Sequence, residues 1–140
     1  MLVQDLMTRA PVVVRPVAPL TAAAARMREA AVGSVIVMEG AEPVGIVTDR
    51  DVALALSEGL DGASVGAVMT PHPVSVPAGA DIEVCLERME EFRVRRILIM
   101  EDDALVGVVS LDDILMHLGY LMSKASSLIR SEVAGPRIFA

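Results

Sequence analysis

A chain of 140 residues that is 54 % hydrophobic suits one compact domain, or two small ones sharing a core, and leaves little room for disorder. With two Phe, one Tyr and no Trp, that core must be built from Val, Ile, Leu, Ala and Met, and the aromatic platforms on which single-stranded nucleic acid stacks are nearly missing. A formal charge of −7 argues further against a general phosphate-backbone binder, which needs a basic face, so no nucleic-acid partner is expected and any anion site must be local.

The start, MLVQDLMTRA, lacks the charged-then-apolar order of a signal peptide, and no apolar run approaches the roughly 18 to 20 residues of a membrane span. A soluble, cytoplasmic protein is the expectation. Val12, Val13 and Val14 lie between Pro11 and Pro16, giving a short strand with proline-guarded ends. Pro19 stands near a helix start. SVIVM (34–38) is a continuous β-rich run, which suits a strand covered on both faces. A turn at EGAEP leads to VGIV, close enough for a hairpin, and a helix over about residues 49–58 follows. GLDGAS (59–64), rich in turn formers, is a connector.

The same series then begins again. Asp81 stands where Pro19 stood, and Ile82, Cys85, Leu86, Met89 and Phe92 recur at helical spacing to make one apolar face. Cys85, the single cysteine, excludes an internal disulfide and is expected to be a buried structural thiol. RILIM (96–100), a turn at EDDAL with Asp102 and Asp103, VGVV and a helix from about Leu111 complete the second pass. Beyond Gly119 the partly apolar YLMSKASSLIRSEV predicts an extra helix, packed on the module or on a partner chain.

Slid against itself, the chain matches at a constant offset of 62 residues without a gap. VQDLMTRAPVVV (3–14) answers VGAVMTPHPVSV (65–76), ARMREAAVGSVIVME (25–39) answers ERMEEFRVRRILIME (87–101), and PVGIVTDRDVALAL (43–56) answers LVGVVSLDDILMHL (105–118). This is a duplication whose period exceeds that of solenoid repeats, so two units facing each other is the natural architecture. The division is 1–58, connector 59–64, 65–118 and a tail 119–140.

At each strand-to-helix junction stands G-h-h-[ST]-x-x-D, with h apolar: Gly45, Thr48 and Asp51, then Gly107, Ser110 and Asp113. T-x-x-D ahead of an apolar stretch is a capping box, the hydroxyl accepting from a backbone NH and the acid reaching back. The same geometry also suits a ribose-phosphate clamp. The unpaired amides of a helix start can hold phosphate, and a nearby carboxylate can accept from vicinal ribose hydroxyls. Gly45 would let a backbone or ligand approach closely. Arg50 sits in the first helix turn, where a cation opposes the dipole. Arg93, Arg95 and Arg96 precede the second central strand, where the first repeat has Ala31, Gly33 and Ser34. They suit either a solvated face or a cleft.

Both halves resemble the cystathionine β-synthase (CBS) domain, paired as a Bateman module, through MTRAPVVV and MTPHPVSV, the central strands and G-h-h-[ST]-x-x-D. The resemblance covers roughly residues 3–118. It implies an α+β fold of two β-α-β-β-α repeats packed through their sheets with pseudo-twofold symmetry, here with a C-terminal helix added. It also implies two inter-repeat clefts that take adenosine ligands such as AMP, ADP, ATP or S-adenosylmethionine, no catalysis, and no required cofactor. Carried over, the first cleft uses Ile46, Thr48, Arg50 and Asp51, completed by Pro73 and Val74 near the base and Arg95 and Arg96 near phosphate. The second uses Val108, Ser110 and Asp113, completed by Pro11, Val12, Gly33 and Ser34. In the second cleft Asp112 replaces Arg50 and no arginine replaces Gly33 or Ser34, so charge predicts the Asp51 cleft to be the better nucleotide site. A homodimer and an effector protein acting in trans are the partners implied.

Enzymatic readings lack their motifs: there is no G-x-x-x-x-G-K-[ST], G-x-G-x-x-G, C-x-x-C or H-E-x-x-H. A hydrolase or transferase using Asp51 as base, and a dimerisation scaffold with relic clefts, are the competing functions. An S-adenosylmethionine or NAD-type ligand is the competing occupant. His72 suits an exposed loop and His117 a core edge, neither with metal-ligating company, and no metal site is expected. Met residues are core filler, and Arg9 and Arg15 read as surface residues.

Overall fold

The computed structural model describes residues 1–134, so 135–140 of the expected tail lie outside the described residues. The first repeat contributes β1 (Thr8–Arg9), β2 (Val13–Val14), α1 (Leu20–Ala30), β3 (Ser34–Glu39), β4 (Glu42–Thr48) and α2 (Asp49–Ser57). The second contributes α3 (Val65–Val68), β5 (Thr70–Pro71), β6 (Ser75–Pro77), α4 (Ile82–Phe92), β7 (Arg96–Glu101), β8 (Ala104–Ser110) and α5 (Leu111–Ala134). The fold is α+β, with two four-stranded sheets ordered β2-β3-β4-β5 and β6-β7-β8-β1.

Each sheet thus carries one strand from the other repeat. β1 pairs antiparallel with β8, setting Thr8 opposite Val108 and Arg9 opposite Gly107. β5 pairs with β4, setting Thr70 opposite Ile46 and Pro71 opposite Gly45. The leaders of the repeats are exchanged, and their apolar residues go with them. Val3 and Met7 pack into the core of Cys85, Met89, Ile97, Ile99, Val109 and Ile114, while Val65 and Met69 pack into that of Leu20, Ala23, Val35, Val37 and Val47. The sequence repeats and the spatial units therefore do not coincide.

Gly45 and Gly107 have their reason here. A Cβ on Gly45 would collide with the Met69 sulfur and lie 2.9 Å from its Cγ, and one on Gly107 would meet Met7 in the same way, 2.8 Å from Cγ. The close approach expected at Gly45 is made by a methionine of the opposite repeat, not by a ligand.

Between the sheets Ile36, Leu98 and Val108 are buried, with Met38, Ile46 and Leu105 packed beside them. Val35 and Val37 turn to the helices while Ile36 turns to the other sheet, so alternation explains why SVIVM is apolar on both faces. The β7–β8 hairpin turns at Asp102 and Asp103, both left-handed at φ 50° and 63°, the backbone that a two-residue turn matching strand twist requires. On α4, Cys85 and Met89 are buried, whereas Phe92 is 49 % exposed at the last position, contrary to the face drawn from spacing.

The expected C-terminal helix is present, but not as a separate element packed on the module. α5 runs unbroken through Gly119 to Ala134, so the segment after Gly119 continues one helix, and from residue 118 to residue 132 its side chains are exposed. No helix among the described residues is long and apolar enough to cross a membrane.

Gly45→Ala and Gly107→Ala each force a methionine out of a filled seat, an overpacking that costs about 1–3 kcal/mol. Chemical denaturation is expected to show both losses, with partial recovery when Gly45→Ala is combined with Met69→Ala. A Gly45→Ala protein as stable as the parent would show that the seat is loose.

Candidate inter-repeat clefts

The helix starts are built as reciprocal caps. The Thr48 NH donates to Asp51 Oδ2 at 2.8 Å and the Asp51 NH donates to Thr48 Oγ1 at 3.2 Å. In the second repeat the Ser110 NH donates to Asp113 Oδ2 at 3.0 Å and the Asp113 NH to Ser110 Oγ at 3.0 Å. The capping box is therefore formed in both copies. It occupies only one oxygen of each carboxylate, because no protein donor among the described residues reaches Oδ1 of Asp51 or Asp113.

The amides are another matter. In α2 the Asp49 NH donates to the Gly33 carbonyl at 3.0 Å, the Arg50 NH to Asp49 Oδ1 at 2.8 Å, and the Asp51 NH to Thr48. The first-turn amides of α2, expected to be open to phosphate, are thus already taken by protein acceptors. In α5 the Leu111 NH goes to the Arg95 carbonyl at 2.8 Å.

Beside Asp51 lies a cavity of about 170 Å³. Ile46 and Thr48 line it from the first repeat, and Pro73, Val74, Arg95 and Arg96 from the second. Thr70, His72, Val94 and Leu98 complete it. Arg50 does not line this cleft. It faces a neighbouring space of about 320 Å³ between the two helix starts, shared with Thr48, Asp49, Arg95, Arg96, Ser110 and Asp112.

Beside Asp113 lies a larger cavity, of about 400 Å³. Pro11, Val12, Gly33, Ser34, Val108 and Ser110 line it. Arg9 and Arg96 line it too, with Thr8 and Ala10. The absence of arginine at positions 33 and 34 therefore does not leave this cleft without cations, and Arg9, exposed as expected, also forms part of its wall. Its placement follows from the strand exchange, which no local pattern signals. Arg93 lies in neither cleft; it ends α4 in the left-handed conformation at φ 53°. Arg95 meets Asp112 at 3.1 Å, an exposed pair that adds little stability but places a carboxylate against one of the two arginines lining the Asp51 cavity.

The sequence of the CBS domain matches residues 3–58 and again residues 65–120. The chain belongs to the CBS domain family. It is similar to the CBS domain-containing protein YhcV of Bacillus subtilis, 33 % identical over 82 % of this chain and 84 % of that one. A crystal structure of Hypoxic Response Protein I, a protein known from Mycobacterium tuberculosis, is 32 % identical, with a TM-score of 0.71 over 84 % of this chain and 98 % of that one, and holds two coordinated zinc ions. A CBS domain protein of Pyrobaculum aerophilum complexed with AMP shares the fold at 21 % identity, with a TM-score of 0.77 over 90 % of this chain and 99 % of that one. Among the described residues of this CBS pair no group of three or more His, Cys, Asp or Glu could hold a metal ion. Cys85 is fully buried and burial pushes its thiol pKa up, which makes it a core residue rather than a nucleophile. His117 lies at the core edge with its buried Nε2 unpartnered.

Removing a cap tests which role the motif plays in folding. Thr48→Ala is expected to lower stability by about 1 kcal/mol in thermal or denaturant unfolding, and Thr48→Ser to restore most of it. An unchanged unfolding midpoint in Thr48→Ala would mean that the cap contributes nothing to folding.

Proposed function

We propose that this CBS pair is a regulatory module that binds an adenosine phosphate between its repeats and passes occupancy on as a change of shape or partner affinity. The observation that carries this is the pairing, in each cleft, of one uncommitted carboxylate oxygen with a cavity that takes apolar lining from the opposite repeat and is lined by two arginines. The carboxylate suits ribose hydroxyls, the wall suits a purine, and the arginines suit phosphate. The AMP complex of the Pyrobaculum aerophilum protein supports the ligand class.

Charge read from the sequence positions alone ranks the Asp51 cleft first, but the cavities themselves do not keep that order. With Arg9 and Arg96 on one cavity and Arg95 and Arg96 on the other, the cation count is level, and size decides. Small-molecule pockets hold roughly 300–1,000 Å³. The Asp113 cleft falls in that range and the Asp51 cleft below it, so the first ligand enters beside Asp113 and the second must widen its site.

Calorimetric titration with AMP, ADP, ATP, S-adenosylmethionine and NADH is expected to show micromolar binding of an adenosine phosphate, about −8 kcal/mol. Asp113→Asn, which keeps an oxygen for the cap, should weaken the first event about tenfold, and Asp51→Asn should spare it. Flat titrations with all five compounds would leave a scaffold as the better reading, and a ligand recovered chemically altered would reopen catalysis by Asp51.

Pairing of two copies accompanies this reading. Leu115, Leu121, Leu128 and Ile129 of α5 are 54, 45, 55 and 64 % exposed, an apolar stripe that a second helix of the same kind would cover. In analytical ultracentrifugation the parent chain is expected to sediment as a dimer and a Leu121→Asp, Leu128→Asp variant as a monomer. A monomeric parent would remove the pairing without touching the clefts.

A further inference from the structure

Arg96 lines the cavity beside Asp113, the cavity beside Asp51 and the space between them. It opens β7, where it stands opposite Ser110, the cap of α5. Its side chain crosses to the first repeat, since a Cβ on Gly33 would lie only 3.0 Å from Arg96 Nη2. Gly33 leaves the guanidinium room to lie along that wall of the Asp113 cleft.

Arg96 is half-buried, and no carboxylate among the described residues pairs with it, whereas Arg95 is held by Asp112. The first repeat has Ser34 at the equivalent place. Arg96 therefore lines both clefts, whereas Arg9 lines the Asp113 cleft alone and Arg95 the Asp51 cleft alone.

We propose that Arg96 is a phosphate-binding residue held in common by the two clefts, so that a phosphorylated ligand in one weakens phosphate binding in the other. This rests on the reading of the clefts as adenosine-phosphate sites. A guanidinium is a rigid planar fork whose strongest contact with phosphate is bidentate, and a fork committed to one phosphate cannot present the same donors to a second on the opposite side. Binding to the first cleft thus withdraws a charged hydrogen-bond donor from the other.

The two clefts differ in size, so unequal affinities by themselves decide nothing; the phosphate-dependent part does. AMP and adenosine are titrated calorimetrically into the full chain, and the ratio of second to first dissociation constant is compared between the two ligands. That ratio is expected to be about tenfold larger for AMP, the size of one charged hydrogen bond. Arg96→Ser should abolish the excess by weakening the first AMP step, and Arg96→Lys, which keeps charge without the fork, should reduce it. Arg95→Ser, which alters only the Asp51 side, should leave the first AMP step in place.

Equal ratios for AMP and adenosine would overturn the sharing. So would an excess that persists or widens in Arg96→Ser, which is what repulsion between two phosphates produces by itself. No binding of either ligand to any of these proteins would overturn the reading of the clefts, a result distinct from two AMP molecules binding independently.

Discussion

A methionine from each repeat's leader lies flat on a glycine in the other repeat's sheet, Met7 on Gly107 and Met69 on Gly45. That reciprocal seating draws β1 onto β8 and β5 onto β4, and it carries Val3 and Val65 into cores they do not belong to by sequence. Neither repeat can close its own core, because each has given away part of it. The two halves therefore fold as one cooperative object, although their sequences read as two.

The clefts are a by-product of the same exchange. Pro11 and Val12 reach the Asp113 cavity, and Pro73 and Val74 the Asp51 cavity, because the chain has just left the opposite sheet when it passes these residues. Each cavity is therefore bounded by both repeats. A movement of one repeat against the other alters both cavities together, which makes the space between the repeats a suitable place to couple ligand to shape.

Much of this was legible in the chain. Matching segments 62 residues apart set the duplication, proline and aspartate marked the starts of α1 and α4, and continuous apolar runs marked the doubly covered strands β3 and β7. The residues assigned to each cleft line it, with Arg50 displaced to the space between. What could not be read was non-local. β1 and β5 are two-residue, exposed strands with no periodicity to betray them, so neither the place of the exposed Arg9 in a cavity wall nor the methionine seated on Gly45 could be read. Phe92 fits the helical spacing of a buried face, yet it stands at the end of α4 beside a left-handed Arg93, beyond the reach of the core. Gly119 looks like a helix terminator, but a glycine costs an α-helix only about 1 kcal/mol, too little to stop one with strong formers on both sides.

Asp113 sits within the first turn of a helix that continues for 24 residues, or about 36 Å. The carboxylate that faces the larger cavity and the far end of α5 thus belong to one stiff rod, anchored at its base by Ile114 and free of the module along most of its length. A tilt of a few degrees at the anchored end, too small to disturb the cap, sweeps the opposite tip through a distance that a neighbouring molecule would feel.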